Sequence, residues 1–323
     1  MSHEHAARPL VTAIAVVAAV AVGGFIALQP RINGELALEL GDGVLAALIS
    51  FGTGTLGCGI ALLGWRPGRR GLGRIRDAVR EGRMSPWFLF GGVAGALMVL
   101  SQGLTAAILG VALFTVALVG GQTIGSLLVD RRGVGTMPAK PLTAPRLVGA
   151  LLAIAAVGWA VSDRLAGDVP WWMLVLPLVA GAGTAWQQAV NGQLRGQSGS
   201  VLSATFVSFL AGTAALALAA VVDLALAGPP AAFPTSPWLY TGGLVGIVFV
   251  AGAAAIVPLT GVLLFGLATI AGQLTVAVLL DLLLPVADTG VDAATIGGAA
   301  LAILAVGVAS LRRPAPRERR SAD

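Results

Sequence analysis

Residues 29–55, QPRINGELALELGDGVLAALISFGTGT, and residues 187–213, QQAVNGQLRGQSGSVLSATFVSFLAGT, are one segment written twice. At a constant offset of 158 they share Gln29/Gln187, Asn33/Asn191, Gly34/Gly192, Leu36/Leu194, Gly41/Gly199, Ala46/Ala204, Ser50/Ser208, Phe51/Phe209, Gly54/Gly212 and Thr55/Thr213, ten identities in 27 positions. Apolar composition produces chance matches of Ala and Leu, not paired Gln, Asn, Ser and Thr. A second block repeats at an offset of 151. Trp87, Gly91, Gly92 and Gly95 match Trp238, Gly242, Gly243 and Gly246, and 110–130 matches 261–281 through Gly110/Gly261, Phe114/Phe265, Gly121/Gly272, Gln122/Gln273 and Asp130/Asp281, among others. The halves divide at 1–165 and 166–323.

Of the 323 residues, 57% are hydrophobic and 11% charged, and the mean hydropathy is +0.90. Soluble domains carry about 25% charged residues, so this chain lacks the charge to cover a water-facing surface and reads as a membrane protein. Disorder is excluded by the same numbers, and a collagen-like chain by the absence of a three-residue period among 45 glycines. A spanning helix needs about 20 mostly apolar residues. Ten such runs are expected, near 10–29, 44–65, 87–102, 104–129, 146–162, 171–191, 201–227, 238–257, 262–284 and 293–311. The first is read as a retained helix rather than a cleaved leader.

Cytoplasmic segments carry excess Lys and Arg. With ten helices, 18 of the 20 basic residues fall on the side shared by both tails, and only Arg31 and Arg164 lie opposite. Both termini are therefore expected in the cytoplasm. The basic charge meets anionic lipid there, which argues against nucleic acid as a partner. Each half holds five helices. Since five is odd, the second copy enters the membrane from the other side, and inverted repeats of this kind let a central site face each side in turn. The fold class expected is an all-α integral membrane protein of two inverted five-helix repeats.

Arg66, Arg69, Arg70, Arg74, Arg76, Arg80 and Arg83 crowd one cytoplasmic loop, with Leu72, Ile75 and Val79 at near-helical spacing. A short helix lying on the membrane is expected.

Polar side chains inside a bilayer either pair with one another or serve a pathway. Gln122 and Gln273 each lie eight residues before an aspartate at a helix end, so each sits about 12 Å deeper. Either they line a substrate cavity or they bond helix to helix. Gln29 with Asn33, and Gln187 with Asn191, share one helix face by their i, i+4 spacing. They are expected near opposite ends of the bundle, as vestibule linings or as fixings for the adjoining turns. Pro30 should bend the first helix and free a carbonyl; Pro258 holds a comparable place in the second half. Asp130 and Asp281 end helices on opposite faces, either as interfacial carboxylates or as coupling residues, with Asp223 a weaker candidate. Gly91-x-x-x-Gly95 and Gly242-x-x-x-Gly246 allow close helix packing.

The first helix has no acidic residue between Leu10 and Leu28, and no helix centre carries Lys, Arg or Glu. That disfavours proton antiport through a midplane carboxylate and recognition of a polyanion. Cys58 cannot form an intramolecular disulfide, being the sole cysteine, and His3 and His5 lie in the polar tail. No cofactor, metal or catalytic residue is expected. A small-molecule cargo and the lipid bilayer are the expected partners, and a homodimer stays open. An intramembrane enzyme acting on a lipid phosphate, a channel and a lipid-handling protein are the competing classes.

At Gln-x-x-x-Asn-Gly-x-Leu (Gln29 to Leu36, Gln187 to Leu194) and at the paired Gly-Val-x-Leu-Phe…Gly-Gln…Asp blocks, the chain resembles the drug/metabolite transporter superfamily. More narrowly it resembles the YdcZ-like bacterial inner-membrane exporters, which occur as five-helix and fused ten-helix forms. The resemblance covers most of the chain and implies ten helices in two inverted five-helix repeats around a central cavity, and it carries over no substrate. The function expected is a secondary transporter exporting a small metabolite or drug-like compound by alternating access. The small multidrug branch depends on a glutamate in its first helix, and this sequence has none.

Overall fold

The computed structural model describes residues 2–135, 144–160, 170–284 and 293–310. Its helices are α1 (Ser2–Ile26), α2 (Leu28–Leu40), α3 (Gly43–Gly64), α4 (Arg66–Arg80), α5 (Gly91–Ser101), α6 (Ala107–Leu109), α7 (Val111–Arg132), α8 (Ala144–Ala160), α9 (Trp171–Ser198), α10 (Val201–Ala227), α11 (Gly242–Leu283) and α12 (Ala293–Ser310). Turns of 3₁₀ helix at Pro86–Phe90 and Pro237–Thr241 lead into α5 and α11, and a π-helical segment, Gln102–Ala106, joins α5 to α6. Among the described residues, six stretches are long and apolar enough to cross a membrane: Ala13–Leu40, Gly43–Gly64, Pro86–Leu109, Val111–Val129, Trp171–Ser198 and Val201–Ala227. Shorter apolar helices run through Leu147–Ala156, Pro237–Phe249, Ala268–Leu283 and Ala293–Ala305.

Burial follows from this composition. Every residue from Val111 to Gly121 is buried, so the apolar stretch of α7 is core all round its circumference. The outer face of α10 exposes Leu218, Val221 and Leu226, as a lipid-facing helix does.

The expected spans need three adjustments. The first helix does not end near residue 29. It breaks at Ala27 and continues as α2 to Leu40, because Pro30 falls in the first turn of α2, where a missing N–H is tolerated. Arg31 pairs with Glu35 at 3.0 Å along the same helix, so both charges are carried within it. The break expected near residue 103 lies instead at Gly110, whose φ of 80° and ψ of 156° suit glycine alone.

The third adjustment concerns α11. Helical backbone runs through 42 residues from Gly242 to Leu283, where two spans were expected. Yet Gly252 packs on Val22 while Gly272 packs on Val20 and Gly24, and Ile256 and Ala268 share one apolar cluster with Ala15 and Ala19. A straight helix would hold residues twenty apart at about 30 Å, so α11 cannot run straight between them.

Local architecture recurs at the repeat offsets. α2 and α9 end on Gly41 and Gly199 with φ of 66° and 59°, the left-handed caps that glycine supplies. The next residues, Asp42 and Ser200, start α3 and α10 by accepting from the N–H of Leu45 at 2.8 Å and of Ser203 at 3.2 Å. Where α3 crosses α10, Phe51 and Phe209 stack with centroids 5.1 Å apart, and Gly54 and Gly212 make room for each other's partner ring.

Packing between the halves recurs as well. A Cβ on Gly92 would strike the carbonyl of Ser208, and one on Gly243 that of Ser50. Gly121 meets Leu178 as Gly272 meets Val20, and Gly181 meets Leu118 as Gly23 meets Thr269. Thus α1 lies along α11, while α9 lies along α5 and α7.

The arginine-rich loop does form a helix, α4, but its apolar face is not left for lipid. Ile75 and Ala78 are buried against Val190, Leu194 and Ala204 of α9 and α10. The missing side chain of Gly71 lets the helix approach Ser200 and Ser203 closely, and Ser203 donates to the Gly68 carbonyl at 2.7 Å. Arg74 donates to the carbonyl of Ser198 through Nε at 2.7 Å.

Candidate functional site

Gln29 and Asn33 stand one turn apart on α2 and are almost sealed off, at 3% and 0% exposure. With the helix continuing to Leu40, they lie well inside the bundle rather than at its rim. Gln29 donates through Nε2 to the carbonyl of Gly242 at 3.1 Å. Asn33 donates through Nδ2 to Oε1 of Gln102 at 2.6 Å. A Cβ at Gly242 would collide with Asn33 Oδ1 and lie 2.8 Å from Ser50 Oγ, and one at Gly246 would lie 3.2 Å from Gln29 Nε2. This Gly-x-x-x-Gly pair therefore does more than bring helices together. It vacates the space that the two amides fill.

The same arrangement is built at the other end of the chain's symmetry. Gln187 donates through Nε2 to Ser208 Oγ at 3.0 Å. A Cβ on Gly95 would collide with the Gln187 amide, and one on Gly91 would stand 3.9 Å from Asn191 Oδ1. Each of these residues is the mate, by 158 or 151 positions, of one in the first cluster.

The two clusters are not in the same state. Gln187 holds Ser208, whereas its mate Gln29 holds backbone instead, and Ser50 Oγ is left without a partner. Asn33 is held by Gln102, whose mate position is Ala253, and Asn191 Oδ1 is without a partner. Gln102 is buried to 1% and opens the π-helical segment, a distortion that recurs at functional sites. It was not among the expected site residues. Its signal in the sequence, a lone amide closing the expected span 87–102 beside Ser101, does not distinguish it from a helix end.

Gln122 and Gln273 are both partly buried and belong to neither cluster. They sit beside two helix crossings, Gly121 against Leu178 and Gly272 against Val20. An open hollow of about 470 Å³ lies near Gln273, lined by Val20, Ala21, Phe25, Leu28, Thr275 and Val276 among others. Its walls lack convergent polar groups, which fits a lipid chain better than a polar cargo.

Asp281 is 6% exposed. Its carboxylate accepts from the N–H of Val111 at 3.1 Å and of Ala112 at 2.6 Å, capping α7 where Gly110 has no side chain to offer. Nearby, Arg31 donates to the carbonyl of Leu284, at the end of α11. Asp130 lies on α7, with its side chain outside the described ones, as is that of Pro258. Among the described residues, no three His, Cys, Asp or Glu side chains come together as a metal site would require.

The sequence pattern of the DMT_YdcZ family, described as "Putative inner membrane exporter, YdcZ", matches residues 14–159 and again residues 168–308. The chain belongs to that family. Its two matches fall on the two copies found in the sequence, and a family of membrane exporters agrees with the apolar spans and with a non-enzymatic role. No curated protein matches the chain. Seven solved chains do. One crystal structure, 19% identical, aligns over 94% of this chain and 97% of its own with a TM-score of 0.55, a likeness of fold alone.

Proposed function

We propose that this YdcZ-family chain is a secondary transporter of ten spans, in two inverted five-helix halves with both termini cytoplasmic, exporting a small metabolite or drug-like compound by alternating access. The observation that carries the reading is the pair of buried amide clusters, built from mate residues but differently bonded. In an alternating-access cycle the two halves take unlike conformations and exchange them, and unlike hydrogen bonding at equivalent positions is what one frozen half-cycle would leave.

Contacts between helix ends support the topology. Asp281 with Val111, and Arg31 with Leu284, join ends that the basic-residue count puts outside. Arg74 with Ser198, and Gln193 with Val134, join ends that it puts inside. None of these contacts crosses the bilayer.

In this reading Gln29 and Asn33 gate the outer route and Gln187 and Asn191 the inner one. Gln122 and Gln273, at comparable depth, line the path between. Asp281 is committed to capping α7. A neutral or weakly charged solute suits uncharged walls. The test is thermal unfolding of the purified protein with libraries of amino acids, amines, sugars and nucleosides, since a ligand of the folded state raises its apparent stability. A hit that is lost in both Asn33→Ala and Asn191→Ala supports the reading. A hit that neither substitution alters would move the cargo site elsewhere.

A further inference from the structure

We propose that Gln29, Asn33 and Ser50 form a binding site for a dehydrated alkali-metal cation, the coupling ion of the transport cycle, an inference that rests on the transporter reading above.

Three buried side-chain oxygens around Gly242 have no hydrogen-bond partner: Gln29 Oε1, Asn33 Oδ1 and Ser50 Oγ. Their residues are 3%, 0% and 1% exposed. Asn33 Oδ1 and Ser50 Oγ both border the space above the Cα of Gly242. The Gln29 amide is anchored by its donation to the Gly242 carbonyl, which fixes Oε1 as its free end. Buried polar atoms in a bilayer are costly when unmatched; the two amide oxygens can only accept and the Ser50 hydroxyl offers a lone pair, so a positive charge would match all three.

The chemistry of the set selects the ion. Neutral amide, hydroxyl and carbonyl oxygens replace the hydration shell of an alkali cation. Calcium sites draw on carboxylates and magnesium dehydrates reluctantly, and none of these three side chains is a carboxylate. The backbone adds a second indication. Pro30 has no N–H to give the carbonyl of Ile26, so that main-chain oxygen loses its helical partner one turn from Gln29, beside the interruption at Ala27 between α1 and α2. Carbonyls freed within spanning helices are ligands for such ions in transporters.

The mate cluster shows how occupancy is tied to conformation. There Gln187 donates to Ser208 Oγ at 3.0 Å, so the hydroxyl is already engaged. If the first half adopted that arrangement, Gln29 would swing onto Ser50 and dismantle the site. Binding and release of the cation would then accompany exchange between the two states.

The test uses the full-length protein in detergent, unfolded by heat in NaCl, KCl or choline chloride at equal ionic strength, which holds screening of the arginines constant. The expected result is a saturable rise in melting temperature of a few degrees in NaCl or KCl over choline chloride. Ser50→Ala should abolish that rise while leaving the choline value unchanged or higher, because its hydroxyl bonds to nothing. Gln29→Met should abolish it too, and Ser208→Ala should retain it. Equal melting in all three salts, or an undiminished rise in Ser50→Ala, would overturn the proposal. Cargo-induced stabilisation measured in choline chloride reports the transporter reading separately, so it can survive the loss of the cation site.

Discussion

The hydroxyls of Thr55 and Thr213 lie 2.7 Å apart, and each residue is the other's mate at the offset of 158. A contact between two equivalent residues can occur only on the axis that relates them. The Phe51–Phe209 stack and the reciprocal fit of Gly54 and Gly212 surround this point, on helices that cross antiparallel there: Gly54 meets Phe209 and Gly212 meets Phe51.

Thr55→Val and Thr213→Val should each cost about 1 kcal/mol, the scale of an interhelical hydrogen bond in a membrane. The double variant should cost much less than their sum, since one bond is lost either way. Denaturation midpoints of the four proteins check this, and strict additivity would remove the bond from the account.

Gly92→Ala and Gly243→Ala should both be severely destabilising and to a similar degree, because each new methyl meets the backbone of Ser208 or Ser50. Gly52→Ala, which meets nothing within 4 Å, should cost at most about 0.5 kcal/mol. Yields of monodisperse protein from size-exclusion chromatography separate the two groups. A well-folded Gly92→Ala beside a lost Gly243→Ala would mean the halves do not pack alike.

Asp281→Ala should lower stability by about 2 kcal/mol and Asp281→Asn by about half of that, since Asn keeps one acceptor for the first turn of α7. Transport by folded Asp281→Asn should persist. Abolished transport at unchanged stability would make this carboxylate a coupling residue instead of a cap.

Arg74→Ala should cost about 1 kcal/mol, a charged hydrogen bond at a partly exposed site. Limited proteolysis should then cut within α4 faster, because the Ser198 contact helps hold that helix on the bundle. Unchanged cleavage would mean that Ile75 and Ala78 alone hold it.

Much of this was legible in the sequence for a definite reason. Paired Gln29/Gln187 and Asn33/Asn191 stand out against apolar background, and the family match at 14–159 and 168–308 follows the same division. What was not legible depends on neighbours remote in the chain. The first helix runs on to Leu40 through the Arg31–Glu35 pair, and the burial of α4 depends on Gly71 meeting Ser200 and Ser203. Gln102 gains its place through Asn33, 69 residues away, and no local pattern announces it. The commitment of Asp281 to the N-terminus of α7 likewise requires a partner 170 positions off.

Glu39 and Gln197 are mates at the offset of 158, two residues before the paired glycine caps. Single cysteines at these positions, in a Cys58→Ala background, can be labelled in intact cells with a membrane-impermeant maleimide. Two inverted halves predict that Glu39→Cys reacts from outside and that Gln197→Cys reacts only after the membrane is opened. Labelling of both from the same side would contradict the inversion, and with it the alternating-access mechanism built on it.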